Sequence, residues 1–344
     1  MLHRTRAWAH FALTTVLLMS FLSLIVPLAA QEQVQIKLTP YENNPIFMKD
    51  STLDWEAGGI GRQRVVFHDG MLYMFYLGYR GGQIAGAVGY ATSDDGLHWT
   101  KSKDNPVFVP DKEIASNGVM NLAVALIGDT WTLYFTPWRA GNLWYEFNGD
   151  ILIATAPEPN GPWTVAEEPA LTTSTVRAWD AGGRYLQTVT ASKNGFVMFY
   201  DAGATVNDIG MATSADGLHW TKYDDPATKS GPFAKSDPVF GPSSGRNAWD
   251  SAYADGPVVW QTDHGWEMFY GAGQNDGERS IGCATSTDGI IWKRVGDTPL
   301  LTDPDKLLAP EAVVSFNGTQ YLYYVVLSKR FDPEGIAVAT ITHD

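Results

Sequence analysis

The feature that most constrains this chain is an internal repeat, because a unit that recurs along a sequence also recurs in its fold. Three segments share the run Ala-Thr-Ser-x-Asp-Gly, with a tryptophan three positions after the last glycine. The segments run from Gly89 to Trp99, from Gly210 to Trp220 and from Gly282 to Trp292. A basic residue and then a proline-containing stretch follow each of them.

Matching sequence also precedes each segment. Residues 65–78 read VVFHDGMLYMFYLG, and residues 188–203 and 258–271 have the same rhythm of apolar run, glycine-containing turn and Met-Phe-Tyr run. Short β-branched and aromatic runs are typical of strands, and Asn-Gly or Asp-Gly steps between them are typical of hairpin turns. One unit is therefore a small antiparallel sheet.

Two weaker copies, residues 121–156 and 311–341, complete a series of five units. Five sheets of four antiparallel strands, arranged radially, predict an all-β fold, a five-bladed β-propeller. A linear β-solenoid is the competing architecture. We expect a strand near residues 33–38 to pair with the last blade, because this closes the ring and removes an exposed edge.

The first 30 residues have the character of a targeting segment rather than of a blade. Arg4 and Arg6 precede an apolar run that ends in Ala29-Ala30, and polar sequence begins at Gln31. This pattern predicts a signal peptide over residues 1–30, a propeller over 31–344 and a secreted or periplasmic protein with no membrane contact after cleavage. A membrane anchor is the alternative, because the run is just long enough to span a bilayer.

Charge and cysteine content narrow the partners. The chain has 24 Lys and Arg against 38 Asp and Glu, a net charge of −14, which argues against nucleic acid because phosphate backbones are bound by cations. The single cysteine, Cys283, excludes an internal disulfide and is expected in the core. No zinc-type spacing is present, so no cofactor is expected, with a structural calcium ion near the axis left open.

The repeat resembles that of the five-bladed propeller glycosidases. It shares the blade rhythm, the Ala-Thr-Ser strand ends, Gly161-Pro162-Trp163 and the Asn105-Pro106-Val107-Phe108 connector with arabinanases, family 43 xylosidases, invertases, levansucrases and mannoside phosphorylases. The resemblance implies an axial funnel that binds an oligo- or polysaccharide, where carboxylates at the starts of the innermost strands act as acid and base.

The repeat also separates structural residues from site residues. A residue found in every blade serves the blade, so we interpret the turn residues Asp95, Asp216 and Asp288 as structural. The acids that follow a tryptophan are interpreted in the same way. These are Glu56, Asp180 and Asp250.

Polar residues that do not repeat, at the starts of the innermost strands, are the site candidates. Asp255 and Glu311 are the predicted catalytic carboxylates. The first blade offers Gln63 where the related enzymes offer an aspartate, so Asp54 from the preceding loop is a substitute candidate. The residues predicted to bind substrate are Arg62, Gln63, Arg64, Asn121, Trp138, Arg184 and Tyr185.

These observations favour an exported glycoside hydrolase. The aspartate missing from the first blade keeps two alternatives open. One is a propeller that binds carbohydrate without catalysis. The other is a phosphorylase, because Arg62 and Arg64 could bind phosphate through forked hydrogen bonds.

Overall fold

The protein is described here from a computed structural model. The structure describes residues 35–81, 86–139, 149–172, 174, 177–181, 187–203, 208–275 and 277–343. Among these residues the fold is all-β, with a single 3-10 turn at Gly231–Phe233. The predicted signal peptide lies outside the described residues.

Each blade is an antiparallel sheet of four strands ordered from the axis outwards. Blade one contains β2 (Gly59–His68), β3 (Met71–Tyr79), β4 (Ala87–Ser93) and β5 (Thr100–Lys101). Blade two contains β6 (Gly118–Ile127), β7 (Thr130–Trp138), β8 (Leu152–Ala156) and β9 (Thr164–Val165). Blade three contains β10 (Gln187–Ser192), β11 (Gly195–Ala202), β12 (Asp208–Ser214) and β13 (Thr221–Lys222), with β14 (Pro238–Phe240) added against β12.

The last two blades close the ring. Blade four contains β15 (Tyr253–Thr262), β16 (Gly265–Gly273), β17 (Ser280–Ser286) and β18 (Lys293–Arg294). Blade five contains β19 (Leu307–Phe316), β20 (Thr319–Leu327), β21 (Pro333–His343) and β1 (Ile36–Pro40). The innermost strands touch in the circular order β2, β6, β10, β15, β19 and β2 again. The predicted five-bladed propeller is therefore confirmed, and the solenoid is excluded.

The first strand completes the last blade, as the sequence predicts. β1 pairs antiparallel with β21, from Ile36 opposite His343 to Pro40 opposite Ala339. The side chain of Asn44 extends this closure, because its amide donates to the carbonyl of Val338 at 2.8 Å and accepts from the N–H of the same residue at 2.9 Å. The outermost strand of this blade, β1, thus comes from a part of the chain far from the part that supplies its other three strands.

The aspartates of the repeated turn hold the backbone. In blade three the Asp216 carboxylate accepts from the N–H groups of Leu218 and His219, each at 2.9 Å, and from the His219 ring at 2.7 Å. The backbone and side-chain bonds from His219 and the backbone bond from Leu218 hold the pKa of Asp216 below its usual range. Asp95 and Asp288 accept the same backbone bonds, which gives all three the expected turn-forming role.

The acid after each repeated tryptophan forms a buried ion pair with the outermost strand. Asp180 is fully buried and accepts from Lys222 at 2.6 Å. Glu56 pairs in the same way with Lys101, and Asp250 pairs with Arg294 at 2.5 Å. A pair that recurs in three blades ties the loop before each blade to that blade's outer edge, which agrees with the structural interpretation.

Apolar clusters fill the spaces between neighbouring blades. The side chains with the largest buried volume are five tyrosines and four phenylalanines of the second strands. Cys283 lies in one of these clusters, 1% exposed, and burial raises the pKa of its thiol. Across the described ranges, no helix has the length and apolar character needed to cross a membrane.

Candidate functional site

The innermost strands are irregular at the end where the predicted site residues lie. The pairing register shifts between Gly61 and Arg64 in β2, and between Val119 and Asn121 in β6. It shifts again between Asp255 and Val258 in β15 and between Pro310 and Ala312 in β19. A bulge leaves a residue unpaired and redirects its side chain. Four blades therefore use the same device to place polar groups at the axis.

Glu311 lies in the bulge of β19 and is 2% exposed. Its Oε2 accepts from Nη1 of Arg64 at 2.7 Å, and its Oε1 accepts from Nη1 of Arg62 at 3.3 Å. Two guanidinium groups from blade one therefore hold a carboxylate from blade five. The predicted convergence of these three residues at the axis is present in the structure.

Arg64 hydrogen-bonds to residues of blades one, three and five. It is 7% exposed, and its Nη1 donates to the carbonyl oxygens of Gln63 at 2.8 Å and Glu311 at 2.7 Å. Its Nη2 donates to the carbonyl oxygen of Gln187 in blade three at 2.9 Å. Burial lowers the pKa of Arg64, although the charge of Glu311 acts in the opposite direction. These contacts occupy both terminal nitrogens, so Arg64 acts on the site chiefly by fixing Glu311.

Arg62 is placed differently from Arg64. Its backbone has a φ of +54°, in the left-handed region that non-glycine residues rarely adopt, and its side chain is 32% exposed. It also lies beside Tyr79, and burial raises the pKa of Tyr79 to about 12 although the Arg62 charge opposes this. A half-exposed arginine on a strained backbone is the cation of this site that a ligand can reach.

Asp255 has its own arginine, which the sequence analysis missed. Arg279 donates from Nη1 to Oδ2 of Asp255 at 3.1 Å and from Nη2 to Oδ1, a forked pair. Its guanidinium crosses Gly271, where a Cβ would lie 2.5 Å from Nη2, and it stacks 5.7 Å from the ring centre of Tyr253. Arg279 lies just before β17, and the equivalent position in blade one is Gly86. An arginine that the repeat does not share could therefore have been identified from the sequence.

The two ion pairs belong to one electrostatic cluster. The charges of Asp255 and Glu311 both raise the pKa of Arg279, against the effect of burial. The charges of Glu311 and Asp255 raise the pKa of Arg62, whereas burial and the charge of Arg279 lower it. The cluster thus joins blades one, four and five with three arginines and two carboxylates.

Polar side chains continue from this cluster into the interior. Gln63 is fully buried, and neither polar atom of its side chain bonds to another described residue. Asn121, on β6, is 1% exposed, and Gln187 donates from Nε2 to the carbonyl oxygen of Tyr134 at 3.2 Å. The axis is therefore lined with amides as well as charges.

Of the four remaining predicted residues, two lie within the described chain and two outside it. Asp54 is 86% exposed and pairs with Arg80 at 3.1 Å in the loop before blade one. Trp138 ends β7, half-buried, opposite Gly118. Arg184 and Tyr185 lie outside the described residues. No group of three or more His, Cys, Asp or Glu that could hold a metal ion occurs where the structure is described.

The arrangement has a chemical consequence. Asp255 and Glu311 are the kind of carboxyl groups that glycoside cleavage requires, but arginines already engage the oxygens of both. A substrate must compete with these pairs, or rearrange them, before either group can transfer a proton. The same arginines supply positive charge for an anionic group beside the carboxylates.

Comparison with known proteins gives the fold but no family. No protein-family model matches the chain, and no curated protein matches it. Solved structures do match. A glycosyl hydrolase from Bacteroides ovatus has a TM-score of 0.66 and 20% identity, covering 88% of this chain and 92% of its own. The chain has the fold of the propeller glycosidases.

Two further structures extend this likeness. A β-1,2-mannobiose phosphorylase from Listeria innocua has a TM-score of 0.62 and 16% identity, covering 88% of this chain and 96% of its own. A thermostable family-43 glycoside hydrolase has a TM-score of 0.59 and 15% identity, covering 83% and 89%. The resemblance noted from the repeat is confirmed for the fold, which hydrolases and a phosphorylase share.

Proposed function

We propose that this protein is a carbohydrate-active enzyme that cleaves glycosidic bonds in the axial funnel. The observation that carries the proposal is the pairing of two buried carboxylates, Asp255 and Glu311, with arginines at the bulged starts of the innermost strands. Burying such a cluster is costly and contributes little to stability, so its presence favours a functional role.

Hydrolysis is the first form of this proposal. One carboxyl group protonates the leaving oxygen and the other activates water or attacks the sugar. Asp255 and Glu311 take these two roles, and Arg62 and Arg279 orient them. The buried Gln63 stands where the related enzymes offer an aspartate, so this pair has to supply both functions.

Phosphorolysis is the second form, and a specific observation favours it. The Arg62 side chain lies beside Glu311 and is 32% exposed, so its guanidinium can meet an anion at this site. Phosphate is itself the nucleophile in phosphorolysis, so one carboxyl group is sufficient as proton donor. The accessible guanidinium of Arg62 is suited to bind that phosphate.

We further propose that residues 1–30 are a signal peptide and that the propeller acts outside the cytoplasm or in the periplasm on an oligo- or polysaccharide. Mass spectrometry of the N-terminal peptide of the mature protein tests this, and a mature chain that retains residues 1–30 would contradict it.

A substrate screen tests the catalytic proposal. The protein is incubated with aryl glycosides, arabino-oligosaccharides and β-1,2-mannobiose, with and without inorganic phosphate, and free sugar and sugar phosphate are measured separately. Asp255→Asn and Glu311→Gln should each lower the rate by about 100-fold or more. Product as sugar phosphate, formed only with phosphate present, identifies the phosphorylase.

Asp54→Asn is the matched comparison, because Asp54 is exposed and lies in a different ion pair. Full activity in this variant limits the chemistry to the axial pair. Activity that survives both Asp255→Asn and Glu311→Gln would contradict the assignment, and binding without turnover would identify a non-catalytic lectin-like propeller.

A further inference from the structure

A partly open pocket lies beside blade three, away from the axial cluster. Its volume is about 450 Å³, within the range of small-molecule sites. The lining includes three cations, one indole and two serine hydroxyls: Arg177, Lys222, Lys235, Trp220, Ser174 and Ser236. None of the described lining residues is an aspartate or glutamate, although acids outnumber bases in the chain by 38 to 24.

This pocket arises from an insertion that other blades lack. Sixteen positions separate Lys222 from Pro238, whereas five separate Lys101 from Pro106 in blade one. The extra segment forms one wall, and it is held to the loop before β10. The Trp179 indole N–H donates to Ser236 Oγ at 3.1 Å, and the Trp179 backbone N–H donates to the carbonyl of Pro232 at 3.1 Å.

Of the three cations in the lining, one forms a structural ion pair and two are exposed to solvent and can contact a ligand. Lys222 belongs to the recurring ion pair with Asp180 and also donates to Ser174 Oγ at 3.1 Å. Arg177 and Lys235 are exposed, and no hydrogen bond or ion pair joins either to another residue within the described chain. Blade one has Leu53 at the position of Arg177, so the repeat does not explain this arginine.

Arg177 also has an unusual backbone. Its φ is +92°, in the region that residues with a side chain rarely adopt. A residue held in this conformation is strained, and such residues are enriched at ligand sites. Arg62, at the axial cluster, has a positive φ as well.

The chemistry of the lining indicates its ligand. Two exposed cations that have no partner among the described residues select a negative charge. The half-buried face of Trp220, whose N–H is fixed by a bond to the Gly217 carbonyl at 3.0 Å, offers an apolar surface for a sugar ring. We propose that this pocket is a second binding site for an acidic saccharide, one that carries carboxylate groups. It is independent of the axial chemistry.

Calorimetric titration tests the proposal with digalacturonate as the probe, against neutral galactobiose and inorganic phosphate. We expect digalacturonate to bind more tightly than either of the others and to weaken as NaCl is raised. The double variant Arg177→Ala/Lys235→Ala should bind it about tenfold more weakly. Arg177→Lys/Lys235→Arg, which keeps both charges, should retain most of the affinity.

Lys37→Ala/Lys193→Ala is the matched control, because it removes the same charge at exposed sites outside the pocket and should leave binding unchanged. Equal affinity for digalacturonate and galactobiose, or unchanged affinity in the alanine double variant, would overturn the proposal. Phosphate binding as tight as that of digalacturonate would overturn the saccharide assignment. Because neither exposed cation touches the axial cluster, glycoside cleavage should be unaffected in the double variant, and the two proposals can fail separately.

Discussion

Replacing Glu311 by glutamine should destabilise the propeller as well as inactivate it. The substitution keeps the shape of the side chain but removes the charge that faces Arg64, which is 7% exposed. Leaving a buried charge without its partner costs about 3–5 kcal/mol. Arg64 keeps its carbonyl acceptors on Gln63 and Gln187, so we expect the lower end, about 3 kcal/mol.

This free energy converts into a measurable shift. Unfolding entropy is about 2.1 cal/mol/K per residue, so roughly 310 residues of the unit Gln35–Asp344 give about 0.65 kcal/mol/K, and a loss of 3 kcal/mol lowers Tm by about 5 °C. Calorimetry and urea unfolding followed by tryptophan fluorescence measure the change. Arg64→Met removes the other charge and completes a double-mutant cycle.

The double-mutant cycle measures how much of the lost stability comes from the contact between Glu311 and Arg64. The double variant Glu311→Gln/Arg64→Met should be more stable than the sum of the single losses predicts, by about 1 kcal/mol or more, because neither charge is then left buried alone. A Tm for Glu311→Gln within about 1 °C of the parent, or strictly additive losses, would refute the view that Arg64 and Glu311 brace the ring.

Three further changes test other features. Lys101→Met leaves the fully buried Glu56 without its cation and should lower the urea-unfolding free energy by about 3 kcal/mol, whereas the exposed Lys112→Met should change it by less than about 0.5. Burial raises the pKa of Asp208 to about 6. Because the unfolded chain ionises this group at a lower pH, the free energy of unfolding should fall by about 1 kcal/mol between pH 4 and 7, after allowance for solvent screening. Asp208→Asn should lack this fall, and a stability profile that the substitution leaves unchanged would contradict the assignment. Phe331 has a φ of +65°, so Phe331→Gly should gain about 0.5 kcal/mol in urea unfolding, while Phe331→Ala, which keeps its Cβ, should not; equal effects would contradict the strain argument.

The fold was predictable because its information is local and repeated. Each turn aspartate bonds to backbone within three residues of itself, so the sequence window that contains the motif contains the interaction. The buried pairing of Lys222 with Asp180 spans 42 positions and was not predicted, although the recurrence of the acid already indicated a structural role. The repeat thus predicted that Asp180 is structural, but it did not predict which residue pairs with it.

The site was predictable only in part. The non-repeating residues Glu311, Arg62 and Asp255 do come together at the axis. Their partners could not be assigned, because bulges decide which side chain faces which, and a one-residue shift of register reverses that outcome. Arg64 shows the limit: sequence places it at the axis but cannot distinguish an arginine that binds ligand from one that joins three blades.

The pairing of β1 with β21 has a consequence for how the chain folds. Asn44 and Val338, which hydrogen-bond beside this pairing, are separated by 294 positions, so β1 has no partner until the distant residues of β21 are in place. Contacts this distant in sequence slow folding, because the entropy of closing the loop is lost before the contact forms. Blades one to four need no contact with β21, but the ring closes only when the residues of β21 are available. The last step is thus the capture of a short strand, and the lifetime of the folded ring depends on how rarely that strand detaches.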